Sequence, residues 1–108
     1  MLSYINKKGK EVKLLATHHS YNRFMNRYNT LFPEKKIEPK QVVDCFNKFF
    51  SHAQRVKNIN KQEKSRVKRY GQDTMFFRTN GFTFIVENAK IVTVEISDKN
   101  KRFMNRIA

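Results

Sequence analysis

An α+β fold is predicted, with an N-terminal strand, two or three helices and a closing three-stranded antiparallel meander. Three observations predict it. Apolar residues recur at helical spacing from Tyr21 to Ala53, they alternate at strand spacing towards the C-terminal end, and Asn80-Gly81 stands between two of the alternating runs.

The elements follow in chain order. Residues 11–18, Glu-Val-Lys-Leu-Leu-Ala-Thr-His, are expected to form the first strand after a turn at Gly9, although their alternation is imperfect. Thr17 or Ser20 supplies a hydroxyl to cap a first helix. That helix must end by Phe32, because Pro33 disfavours the helical conformation in the residue before it. Its stripe of Tyr21, Phe24, Tyr28 and Leu31 is spaced to bury one side. Pro39 suits a first helical position, and Val42, Val43, Phe46, Phe49, Phe50 and Ala53 then predict a second amphipathic helix to about Arg55. Cys45 lies within it and is expected to be a small core or boundary residue. Residues 55–69 form either a short helix or a loop.

In the meander, Asn80-Gly81 predicts a two-residue type I′ hairpin, because both central positions need positive φ. Arg78 then faces Thr83, and Phe77 faces Phe84. To share the core face with Phe82, Phe84 and Val86, the last strand must place Val92, Val94 and Ile96 there, which requires an odd-length loop centred on Ala89. Thr93 then lies opposite Ile85 and Glu95 opposite Thr83. Arg78, Thr83 and Glu95 become a polar row on the open face, with Thr93 and Phe76 nearby.

With 108 residues, 39% of them hydrophobic and ten of them phenylalanine, the chain is long enough for one domain over 1–108 with a single core. Its 23 Lys and Arg against nine Asp and Glu leave a net charge of +14, which favours a polyanionic partner. No apolar leader or membrane-length segment is present, so a soluble, unprocessed, cytoplasmic protein without a membrane partner is expected. One cysteine allows no internal disulfide. His18, His19, His52 and Cys45 lack zinc-ligand spacing and no paired acids suggest magnesium, so neither a metal nor another cofactor is expected.

Two basic features are candidate binding surfaces. On a helix, His19, Arg23 and Arg27 fall at i, i+4 and i+8 and project from nearly one face. An imidazole that exchanges protons near neutrality and two guanidiniums that match phosphate oxygens suit an anionic phosphodiester. An ordinary solvated basic face has the same spacing. The second feature is a basic connector at about 55–72. Its first fifteen residues hold seven basic side chains with only Glu63 as counterweight. Lys57, Lys61, Lys64, Arg66, Lys68 and Arg69 are its candidate RNA contacts.

The run His19-Ser-Tyr-Asn-Arg23-Phe-Met-Asn-Arg27, with the late strand pattern Ile91-Val92-Thr93-Val94, resembles small bacterial and phage domains of the DUF4258 type. These are relatives of the BrnT and RelE toxins in the barnase, EndoU, colicin and RelE group of metal-independent ribonucleases. The resemblance spans roughly residues 11–97. The chain differs from the family pattern in its longer 55–72 segment and in Ser20, where alanine is usual. It implies a RelE/barnase-like fold and an endoribonuclease in which the RNA 2′-hydroxyl attacks the adjacent phosphate. The implied roles are His19 as acid or base, Arg23 and Arg27 as phosphate clamps, Arg78 as transition-state stabiliser and Thr93 as a positioning hydroxyl. Glu95 is an alternative base, and the start of the helix decides whether His18 or His19 is used. The expected partners are mRNA, tRNA or ribosome-associated RNA, with a cognate antitoxin or inhibitor protein. A non-catalytic module that binds RNA or a host protein through its basic face is the competing expectation.

Overall fold

The computed structural model describes residues 2–71, 73–79 and 81–97. Among them the chain is a mixed α+β structure of three α-helices, a five-stranded mixed sheet and a separate two-stranded sheet. The first strand is the unforeseen β1, Ser3–Ile5, which pairs antiparallel with β2, Glu11–Lys13. Asn6 Oδ1 accepts from the backbone amides of Lys8 and Lys10, and Gly9 supplies the left-handed residue of the turn at φ 77°. Tyr4 anchors this hairpin on Phe77, with ring centroids 5.5 Å apart.

The continuous strand expected over 11–18 is interrupted. Leu14 turns into the core, and Leu15–Ala16 form β3, a short edge strand parallel to the last strand. Thr17 then caps α1, His18–Leu31, and Pro33 follows the end of the helix as expected. Pro39–Gln41 form a 3-10 turn that leads into α2, Val42–Ser51. This helix stops four residues short of Arg55, because Gln54 and Arg55 become β4 and pair with residues 78 and 77. Edge pairing satisfies the backbone there in place of another helical turn. The basic segment resolves into an extended stretch and α3, Lys61–Tyr70.

The expected meander forms the middle of the large sheet: β5 (Met75–Thr79), β6 (Phe82–Glu87) and β7 (Lys90–Ile96), in the order β3-β7-β6-β5-β4. Arg78 faces Thr83 and Phe77 faces Phe84. Asn80 lies outside the described residues; Gly81 has φ 94°. Between β6 and β7 the expected odd-length loop is replaced by a two-residue turn, Asn88-Ala89, with φ of 52° and 60°. A bulge at the Ile85/Val86 step restores the register, so Val86 opposes Ile91 while Ile85, Phe84 and Thr83 oppose Thr93, Val94 and Glu95. Ile91, fully buried, therefore takes the core position expected of Val92.

α1 and α2 cover one face of the sheet. Phe24 at their centre is fully buried, with its ring 5.4 Å from Phe46 and 5.2 Å from Phe82. Tyr21, Tyr28 and Leu31 pack against this core together with Cys45. The opposite face is not open as expected. Phe76 and Ile85 point to it and are nearly inaccessible, as is Thr83, because α3 lies over that side. Two apolar side chains facing water would forfeit the burial free energy that this cover recovers.

Candidate nucleic-acid interface

The start of α1 is stitched to β7. Thr17 Oγ1 accepts from the Ser20 amide at 3.1 Å and shares its own proton between the carbonyls of Ile91 and Val92. The Thr17 amide also donates to Ile91 O at 3.0 Å. Ten residues later Arg27 Nη2 meets Glu95 Oε2 at 3.3 Å. About 15 Å of helix rise thus runs beside about 12 Å of strand, so α1 and β7 travel in the same direction. His19 and Arg23 are exposed on α1, and Arg23 Nε donates to His19 Nε2 at 3.3 Å. His18 is exposed beside it as the first helical residue.

On the α3 side of the sheet, Arg78, Thr83 and Glu95 form the expected row across β5, β6 and β7. Arg78 Nε donates to Thr83 Oγ1 at 3.0 Å, and its Nη2 donates to Glu63 Oε2 at 2.6 Å. Glu63 also closes a capping box: its Oε1 accepts from the Asn60 amide, while Asn60 Oδ1 accepts from the Glu63 amide. One nearly buried carboxylate therefore starts α3 and docks it on the sheet. Charge counting along the chain gives Glu63 no role beyond that of a counterweight. The spacing Asn60-x-x-Glu63 is the signal that identifies it.

Between α3 and the sheet lies a cavity of about 300 Å³, floored by Phe76, Thr83 and Ile85 and walled by Glu63, Arg66 and Arg69. A second hollow of about 350 Å³ opens around Asn26, Arg27 and Thr30, and Glu95 lines both. The structure thus brings Arg27, Glu95, Thr83 and Arg78 together. It does not bring His19 or Arg23 into either of these two spaces. Thr93 is buried opposite Ile85 and lines neither.

The basic segment divides in two. Lys57, Lys61, Lys64, Lys68 and Arg69 are exposed, whereas Arg66 is half-buried, pairs with Glu87 at 3.2 Å and lies 4.8 Å from the centre of the Tyr70 ring. Among the described residues no three His, Cys, Asp or Glu side chains gather as metal ligands, and no helix is long and apolar enough to cross a membrane. Comparison with family models, curated proteins and solved structures returned no match.

Proposed function

We propose that this protein is a RelE/barnase-like RNA-binding domain that cleaves RNA without a metal, by attack of the substrate's 2′-hydroxyl on the adjacent phosphate. The observation that carries this reading is the Arg27–Glu95 pair, which joins the cationic row of α1 to the polar row of the sheet. Oε2 of Glu95 takes Arg27, and no protein donor among the described residues meets its other oxygen. That oxygen is the proposed acceptor for the 2′-hydroxyl proton. Arg27 and Arg78 would stabilise the charge that builds on the phosphorane, and His19 would return a proton to the leaving 5′-oxygen. Thr93, buried in the sheet, would act only through the strand that carries Glu95.

A second, non-catalytic reading is favoured by one observation. His19 and Arg27 are separated by about 12 Å along the helix axis, so their row suits successive phosphates of a backbone better than a single reacting one. Arg27 and Arg78 are moreover each committed to a carboxylate. In that reading α1 and α3 hold RNA through phosphate contacts alone.

Cleavage of labelled RNA by purified protein in excess chelator decides between them. The catalytic reading expects 2′,3′-cyclic phosphate ends, and a loss of about 100-fold or more in rate for Glu95→Gln or His19→Ala with binding nearly unchanged. Tight binding with no cleavage under any condition establishes the second reading, and 5′-phosphate products exclude the proposed chemistry.

A further inference from the structure

We infer that the cavity between α3 and the sheet is a pocket for one nucleotide, with the base against Tyr70 at its rim and the phosphate at Arg69. The inference rests on the RNA-binding reading above. The volume of about 300 Å³ falls at the small end of the range for small-molecule sites, about 300–1,000 Å³. Phe76 and Ile85 close the cavity from below and are themselves buried, whereas Tyr70 stands at the rim with 55% of its surface exposed. An aromatic ring left in solvent beside two guanidiniums, at 4.8 and 5.9 Å, is a stacking platform for a base.

The charges point to the rest of the ligand. Arg27, Arg66 and Arg78 are matched one to one by Glu95, Glu87 and Glu63. Arg69 pairs with no carboxylate among the described residues and meets only the Tyr70 ring. The cavity thus holds one uncompensated positive charge, at its mouth, which matches the single charge of a phosphodiester. In the non-catalytic reading, where the second oxygen of Glu95 takes no 2′-hydroxyl proton, it is an acceptor for a base N–H at the cavity lining.

The test titrates the common nucleoside 5′-monophosphates into the intact protein and follows backbone amides by NMR, with inorganic phosphate and ribose 5-phosphate as controls. The expected result is saturable shifts centred on Thr83, Ile85 and Arg69, with at least one nucleotide binding about tenfold tighter than either control. Tyr70→Ala and Arg69→Gln, both at exposed positions, should each weaken that binding about tenfold at an unchanged melting temperature. Equal binding of inorganic phosphate and of every nucleotide overturns the base site. The absence of shifts, or shifts confined to α1, overturns the pocket altogether. No turnover is measured, so a failure of RNA cleavage leaves a positive result standing, and cleavage without nucleotide binding removes the pocket alone.

Discussion

Glu63 has the most consequential side chain outside the core, because both of its oxygens are used. Glu63→Ala removes the cap on Asn60 and leaves the Arg78 guanidinium without its carboxylate, at an expected cost of about 1–3 kcal/mol in urea denaturation. Glu63→Gln keeps an amide oxygen that satisfies one of the two partners, so roughly half of that loss is expected. Equal losses in the two variants would show that the carboxylate charge carries the whole effect. Cys45 and Tyr28 set a second residue-level property. Burial raises the pKa of the Cys45 thiol above its ordinary 9.0, against a smaller opposing effect of Lys48. Burial also raises that of the Tyr28 phenol above 10.0, helped by the charge of an ionised Cys45. The folded protein thus holds these protons more tightly than the unfolded chain does. The resulting stability is complete below pH 9 and falls as pH rises through the ionisation of the thiol and then the phenol. Denaturation midpoints measured from about pH 7 to about pH 10.5 should decline, and Cys45→Ser should make the decline shallower.

Among the elements, the turn between β6 and β7 departs from ideal chemistry. Ala89 holds φ 60°, a conformation that costs an L-residue about 1–2 kcal/mol, whereas glycine adopts it freely. Glycine loses about 0.4–1 kcal/mol more chain entropy on folding, so Ala89→Gly should stabilise by up to about 1 kcal/mol. Destabilisation by this change, measured by thermal melting, would contradict the turn geometry. The non-ideal pair Asn88-Ala89 is also why the turn is not legible in the sequence. Alternation demands an odd loop, and a two-residue turn with a bulge satisfies the same demand by another route. α3 has the opposite character, with a face of Lys61, Lys64, Lys68 and Arg69 left in solvent. Charge reversal at these four positions should flatten the dependence of log RNA affinity on log salt, by roughly 0.7 for each single-strand phosphate that is no longer neutralised. An unchanged slope would remove α3 from the interface. Arg66 does not belong to that set, because its reversal would break the pair with Glu87 and loosen the helix itself.

Across the whole molecule, a net charge of +14 on 108 residues makes self-repulsion a significant opponent of folding. The pairs Arg27–Glu95, Arg66–Glu87 and Arg78–Glu63 are close and partly buried, so salt screens them less than it screens repulsion between dispersed surface lysines. Raising NaCl from about 0.05 to about 0.3 M should therefore raise the melting temperature while it weakens RNA binding, two trends of opposite sign from one cause. A falling melting temperature would mean that the ion pairs outweigh the repulsion.

Local order is legible in the chain itself: the end of α1 before Pro33, the stripe that buries Phe24, the Arg78–Thr83 and Phe77–Phe84 pairings, and the face shared by Arg78, Thr83 and Glu95. Each depends on periodicity, a cap or a turn, which neighbouring residues set among themselves. The remainder is settled only when the chain is assembled. The parallel pairing of Leu15–Ala16 with β7, the bond from Thr17 to Ile91 across 74 residues and the docking of α3 through Glu63 all join segments distant in the chain. Such contacts arise from competition for buried area and for hydrogen-bond partners across the whole fold, and no local pattern encodes the winner. For the same reason the basic charge of residues 55–69 lies in plain view in the sequence, while its folding into α3 and the cavity beneath that helix do not.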